Sequence, residues 1–367
     1  MNRKLRVAIL YGGKSGEHSV SLLSASSVIK AMDMDRYEIV PIGISTAGTW
    51  EVGEAALHMI ASHLDNECLA QIKDQLSVVA FQDKGPFPLL RSGEIDIVFP
   101  VLHGTYGEDG TVQGLLEVLN LPYVGAGVLA SAVGMDKIMM KKVLEAEGIP
   151  QGKYTFFLTK QFVQNRESVL NNIEDAFGYP CFIKPANLGS SVGISKASTR
   201  DELCGALKLA GKYDRKIIVE EFIDAREVEV AVLGNDDPEA SIPGEIIPEN
   251  EFYDFEAKYT EGKMSANIPA NFSLEVLEKI RSLAIQSFKA VDGSGLARID
   301  FFVRKSNGEI LLNEINTMPG FTSLSMYPKM WAHSGLSYSE LIDKLIQLGL
   351  ERYEEKAQLV TIFEENT

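Results

Sequence analysis

The chain has 367 residues, and 51 Asp+Glu against 35 Lys+Arg give it a formal charge of −16. Its 45% hydrophobic and 23% charged residues are globular composition, and roughly 150 residues per domain makes two or three domains. So acidic a surface repels phosphate backbones and anionic lipid, which excludes nucleic acid and membrane as whole-surface partners but leaves room for a local basic pocket.

Residues 6–11 read as an apolar strand ended by Gly12-Gly13, too short for the apolar core of a signal peptide. Residues 20–32 read as a helix and 37–44 as a second strand, a βαβ opening that predicts a parallel sheet. Residues 46–92 are less regular, with one helical stretch near 55–64. A strand over 95–102, a Gly-rich loop over 103–110 and a helix over 111–119 complete a small doubly wound α/β unit. Ser131 is expected to cap a helix running to about 147, where Gly148 and Pro150 stop it. Next come a strand over 181–185, a Gly/Ser loop over 187–193, a helix opened by the box Thr199-x-x-Glu202, and strands over 216–223 and 227–233. The last third reads as a long loop (248–269), a helix capped by Ser273, two strands around Asn307-Gly308, and a final helix from Ser339. No run approaches the roughly 18 apolar residues of a membrane span, so a soluble protein is expected.

Three cysteines (Cys68, Cys181, Cys204) cannot all pair and form no C-x-x-C, so neither a disulfide framework nor a cysteine zinc site is expected, and a reducing cytosol fits. His58 and His63 are spaced wrongly for one helix face, and H-E-x-x-H is absent. The strongest chemical signal is Arg298-Ile299-Asp300 followed by Asn313-Glu314-Ile315-Asn316. Strand side chains alternate, so Arg298 and Asp300 share a face, as do Glu314 and Asn316. A two-residue turn at Asn307-Gly308 would set Asp300 opposite Ile315. A three-residue loop over 306–308 pairs Lys305 with Glu309 and sets Asp300 opposite Glu314, Arg298 opposite Asn316 and Phe302 opposite Leu312. The second register gathers the oxygens and is the one expected. Two carboxylates and an amide beside an arginine suit Mg²⁺ on nucleotide phosphates. A salt-bridged solvent face is the alternative, and the apolar runs around Asp300 and Glu314 weigh against it.

Lys184-Pro185 before Gly189-Ser190-Ser191-Val192-Gly193 offers backbone N–H groups and a point charge to phosphate. Gly12-Gly13-Lys14-Ser15-Gly16 is not a P-loop, because Ala8 stands where the first glycine belongs. His103-Gly104-x-x-Gly107-Glu108-Asp109-Gly110 follows a strand at the end where open α/β sheets bind ligands.

Together with Glu17, Val20-Ser21, Met135-Asp136-Lys137, Ala257-Lys258-Tyr259 and Thr317-x-Pro319-Gly320, these motifs resemble the D-alanine–D-alanine ligase family, in order over residues 5–350. The resemblance implies an ATP-grasp fold, α/β and α+β, preceded by the small α/β unit. Three domains are expected, at 1–130, 131–226 and 227–360. It further implies ATP with two Mg²⁺ (Mn²⁺ as a substitute), D-alanine as substrate, an acyl-phosphate intermediate, a cytoplasmic homodimer, and a role in peptidoglycan synthesis. By similarity, Glu17 holds the first D-alanine's ammonium with Ser190, Tyr259 and His103 nearby, and Arg298 and the Gly320 backbone stabilise the tetrahedral oxyanion. Ser325 and Met326 take the second substrate's carboxylate. Lys137, Lys184, Ser191 and Lys258 contact phosphates, Glu220, Phe222 and Ile223 adenine, and Glu227 ribose; Asp300, Glu314 and Asn316 hold metal. D-alanine–D-lactate ligation, or binding of nucleotide without catalysis, are the competing readings.

Overall fold

A computed structural model describes residues 3–78, 85–91, 93–189, 192–248 and 264–360. The first part runs β1 (Leu5–Gly12), α1 (His18–Ala31), β2 (Tyr37–Ile44), β3 (Trp50–Val52), α2 (Gly53–Ile60), α3 (Asn66–Val78), α4 (Pro86–Leu90), β4 (Ile97–Val101), α5 (Thr111–Val118), α6 (Val128–Met135) and α7 (Lys137–Ala146). Its sheet has the order β3-β2-β1-β4, with β2 and β4 parallel to β1 and β3 antiparallel at the edge. Parallel sheets are covered on both faces, which is why β1 carries an unbroken apolar run from Val7 to Tyr11, all of it buried.

Two stretches differ from their expected form. Residues 46–92 are more regular than their composition suggests: α3 puts Cys68, Ile72 and Leu76 into the core at helical spacing, a stripe sparse enough to escape notice. The single helix expected from Ser131 is two. Ser131 lies buried inside α6, and Asp136 starts afresh by accepting the N–H groups of Ile138 and Met139, so it caps α7.

The middle part contains β5 (Tyr154–Leu158), α8 (Thr159–Gln164), α9 (Arg166–Phe177), β6 (Cys181–Pro185), β7 (Ser195–Ala197), α10 (Arg200–Ala210) and β8 (Lys216–Glu221). It forms an antiparallel sheet in the order β5-β8-β6-β7 with its own core against α9 and α10. Thr199 caps α10 by accepting the Glu202 N–H at 3.3 Å, while the Glu202 carboxylate turns back to the Ser198 N–H at 2.7 Å.

The last part comprises β9 (Ala225–Gly234), β10 (Glu239–Ala240), β11 (Gly244–Pro248), β12 (Met264–Asn267), α11 (Leu274–Ala290), β13 (Gly295–Arg304), β14 (Ile310–Asn316), α12 (Met326–His333) and α13 (Tyr338–Ala357). Its antiparallel sheet runs β12-β11-β9-β13-β14, with β10 on β9. Helix α11, capped by Ser273, packs Ile280, Ala284 and Phe288 against Val230, Ile299 and Phe301 of that sheet. Helix α13 starts at a capping box between Ser337 and Glu340, two residues before the expected Ser339. The chain then doubles back on itself: Tyr327, Leu341 and Leu345 share one core with Ile9, Ile97 and Phe99 of the first sheet. Half-buried Arg352 fastens this junction, donating to the carbonyls of Tyr123 and Gly125 and lying 4.3 Å over the Tyr123 ring.

Candidate active site

Strands β9, β13 and β14 lie side by side, and their pairing decides which side chains share a face. Arg298 stands opposite Asn316 and Asp300 opposite Glu314, in the expected register, but the hairpin arrives there by another route. The Arg304 N–H donates to the Glu309 carbonyl, so the turn takes one residue more than expected. Phe302 therefore faces Leu311 rather than Leu312, and Lys305 gives its N–H to the Asp224 carbonyl instead of pairing with Glu309. A β-bulge that skips Asn313 then shifts the register back before Asp300. On the other flank, β9 brings Glu229 opposite Asp300.

The guanidinium of Arg298 donates from Nε and Nη2 to the two oxygens of Asp300, both at 2.7 Å, and its Nε lies 3.1 Å from Glu229 Oε2. Asn316 Nδ2 adds a 3.0 Å bond to Asp300. Burial works against the guanidinium charge, but Asp300 and Glu229 outweigh it and hold the Arg298 pKa well above its ordinary value.

A second charged group faces this floor. Lys137 opens α7, donates to the Leu188 carbonyl at 2.9 Å and lies 4.0 Å from Glu314. Lys184 on β6 and Lys141 on α7 grip Glu220 of β8 at 2.6 and 2.8 Å. Burial would raise the Glu220 carboxyl, yet the two ammonium groups hold it well below the usual carboxylate range. Lys184 is raised in turn: burial opposes its charge, and Glu220, Glu314 and Glu227 overcome that. Glu227 lies two residues before Glu229 on β9, hence on the same face. Phe222 and Ile223 follow β8; the Phe222 ring stacks at 6.2 Å on Phe182 with Lys196 4.8 Å over it.

The first sheet supplies the third side. Glu17 stands just before α1, under Gly104, whose φ of +74° and close neighbours leave room only for hydrogen: a β-carbon there would meet Glu17 Oε2 at 2.5 Å. A β-carbon on Gly189 would stand 3.0 Å from the same oxygen, so Glu17 sits where the His103 loop meets the Gly/Ser loop. His103 is buried, with Nδ1 3.1 Å from the Met318 carbonyl, Nε2 2.9 Å from Ser24 Oγ, and Glu108 at 3.9 Å. Burial lowers the imidazole pKa, but Glu108, Glu17 and the Met318 carbonyl raise it overall. Ser325 precedes α12 and its Oγ accepts the Thr322 N–H at 3.1 Å; Met326 opens the helix, buried.

These three sides enclose a cavity of about 740 Å³ lined by Glu17, His103, Lys137, Arg298, Glu314 and Gly320. Asn316, Ser325 and Met326 also reach it, whereas Lys184, Glu220, Phe222, Ile223 and Glu227 are not in its lining. That is the size of a small-molecule site, and charged groups of both signs converge on it.

Comparison with known proteins identifies the family. A model of the D-ala D-ala ligase N-terminus matches residues 6–126, and one of the D-ala D-ala ligase C-terminus matches 143–347. The chain belongs to the D-alanine–D-alanine ligase family. The D-alanine–D-alanine ligase of Natranaerobius thermophilus is 48% identical over 99% of this chain and 100% of its own, and that of Acetivibrio thermocellus is 50% identical over 96% and 98%. Among solved structures, the D-alanine–D-alanine ligase from Coxiella burnetii superposes with a TM-score of 0.79 at 37% identity, covering 97% of both chains. The VanG D-Ala:D-Ser ligase from Enterococcus faecalis gives 0.77 at 36% identity, over 95% of this chain and 100% of its own. The fold is thus the ATP-grasp fold preceded by a small α/β domain.

A ligase of this family uses ATP and a divalent metal. The oxygens of Asp300, Glu314 and Asn316 on two directly paired strands fit Mg²⁺, which takes few protein ligands and keeps its waters. Among the described residues no three His, Cys, Asp or Glu side chains form a metal cage by themselves. Asp300 differs from the other two in not lining the cavity, its oxygens being engaged by Arg298 and Asn316. The expected roles of Ser190, Ser191, Lys258 and Tyr259 fall outside the described residues.

Three residues of this ligase site escape a reading of the sequence. Glu229 is signalled by the alternation Glu227-x-Glu229, which puts both on one strand face. Lys141 follows Lys137 by one helical turn. Ser24 carries no local signal at all, since its partners come from distant segments.

Proposed function

We propose that this chain joins two D-alanine molecules at the expense of ATP, through an acyl phosphate, and so supplies the dipeptide for peptidoglycan precursors. A single cavity that unites Glu17, Lys137, Arg298 and the Gly320 backbone carries this reading. A carboxylate is a poor acyl donor. Transfer of the γ-phosphoryl group to it creates a good leaving group, and ADP departs. The amine of a second D-alanine then attacks the carbonyl carbon, and phosphate leaves as the amine gives up its proton.

The cavity and the strands beside it each have a part in that sequence. Glu17 would hold the first ammonium beside His103, Ser190 and Tyr259. Lys137, Lys184, Ser191 and Lys258 would position the phosphates. Phe222, Ile223 and Glu220 would bind adenine, and Glu227 the ribose. Arg298 and the Gly320 N–H would stabilise the oxygen of the tetrahedral intermediate. Ser325 and the Met326 N–H would orient the second carboxylate at the start of α12, where a helix favours negative charge. Asp300, Glu314 and Asn316 would hold two Mg²⁺ ions, which neutralise phosphate charge when bound.

We also propose domain limits at 1–130, 131–226 and 227–360, a homodimer and cytoplasmic residence. Among the described residues no helix is long and apolar enough to cross a membrane. Likeness to a D-Ala:D-Ser ligase keeps D-serine, alongside D-lactate, as a second reading for the acceptor. Incubation with ATP, Mg²⁺ and D-alanine, each acceptor competing in turn, decides: D-alanyl-D-alanine should dominate. Phosphate release that ignores D-alanine would defeat the proposal.

A further inference from the structure

The loop that carries Gly320 is gripped on both sides by one hydrogen-bonded ring. Two residues before Gly320, the Met318 carbonyl lies 3.1 Å from His103 Nδ1. One residue after it, the Phe321 N–H donates to Ser24 Oγ at 3.3 Å. The 2.9 Å contact between Ser24 Oγ and His103 Nε2 closes the ring. Ser24 and Phe321 are fully buried and His103 is 3% exposed, so water does not compete for these bonds.

The chemistry of the groups fixes the direction of two links. A carbonyl only accepts and a backbone amide only donates, so Nδ1 carries a proton toward Met318 and Ser24 Oγ accepts from Phe321. The third link runs either way. A hydroxyl has one proton and two lone pairs, so it can donate to Nε2 of the neutral ring or accept from Nε2–H of the charged one. Serine thus satisfies His103 in both states while still accepting from Phe321. An apolar side chain would leave both groups buried without a partner.

We propose that Ser24, bridging His103 and the Phe321 N–H, is a positioning residue for ligation: it holds the Gly320 N–H where the tetrahedral oxygen develops. This rests on the ligase reading above. Ser24 itself does not line the cavity, and its effect is exerted through the loop. Oxyanion donors act through preorganisation, so a small displacement of Gly320 weakens the step without abolishing nucleotide binding.

The test compares full-length wild type with Ser24→Ala and Ser24→Thr. Ser24→Ala should lower kcat about a hundredfold, the size expected of a displaced catalytic donor, with the KM for ATP unchanged. Ser24→Thr, which keeps the hydroxyl, should recover most of it. His103→Ala combined with Ser24→Ala should lose no more than His103→Ala alone, because the two act as one ring. ¹⁵N NMR of the His103 imidazole gives a second readout: Nδ1 protonated in wild type, and the Nε2 signal moved by Ser24→Ala. A kcat for Ser24→Ala within twofold of wild type, or an unprotonated Nδ1, overturns the proposal. Wild type that binds ATP yet joins no D-alanine would instead overturn the ligase reading and this role with it, while the ring would still register in the imidazole signals.

Discussion

Arg298, half-buried, and His103, fully buried, both stand beside carboxylates and face one cavity, yet they are held in opposite ways. Arg298 takes its partners from its own strand and its neighbours: Asp300 two residues on, Glu229 across one pairing and Asn316 across the other. His103 takes Ser24 from 79 residues away and Met318 from 215. The Arg298 charge on the strand floor is permanent, since Asp300 and Glu229 hold the guanidinium far from titration. In the loop cluster, His103 is raised despite its burial and Glu108 is raised chiefly by burial. A sheet suits charge that must always be in place, and loops suit contacts that join separate parts of the chain.

The largest expected effect breaks the floor. Asp300→Ala should cost about 10³-fold or more in kcat, by analogy with loss of electrostatic stabilisation in other active sites, while thermal unfolding stays cooperative. A kcat near wild type would show that the floor does not carry the chemistry. Next comes Glu220→Gln, which leaves buried Lys141 and half-buried Lys184 without their carboxylate; denaturant titration should show a loss of about 3 kcal/mol. Its sign with pH is defined. Because the folded carboxyl is depressed, its stabilisation is complete above the unfolded pKa of about 4.3 and is lost as pH falls through the folded value. The acid limb of the stability profile should therefore flatten in the variant.

Glu229→Gln sharpens the comparison more finely. Its expected cost is about tenfold in kcat, the size of one close, solvent-screened ion pair, with the KM for ATP unchanged. An unaltered kcat would mean that Asp300 alone orients the guanidinium. For the loop cluster, the raised His103 contributes stability that is full below the unfolded pKa of about 6.5 and fades as pH rises through the folded value. The stability gap between wild type and His103→Gln should shrink from pH 6 to pH 9, and a widening gap would contradict the assigned direction. The smallest effect lies far from both clusters: Thr199→Ala should remove about 1 kcal/mol of stability and leave turnover untouched.

The same contrast explains what can be read from sequence. Period-two alternation is local, so Arg298 and Asp300, and likewise Glu314 and Asn316, can be set on one face from the order of residues alone. The expected hairpin register holds only because two deviations cancel, an extra residue in the turn and a skipped Asn313 in β14. Neither leaves a composition signal. Asp136 is hard to recognise as a cap because the apolar residues on either side suggest one continuous helix. Ser24 is illegible for a plainer reason: hydrogen bonds to segments 79 and 297 residues away have no period.

The sharing of one core between the first sheet and the last helices bears on how the protein is made. Ile9, Ile97 and Phe99 leave the ribosome early, but the side chains that cover them include Leu341 and Leu345 near the other end. The middle sheet, with its own core against α9 and α10, can close as soon as it is synthesised. The core of the first sheet is therefore completed only by residues from the far end of the chain, whereas the middle sheet's core draws on its own segment alone.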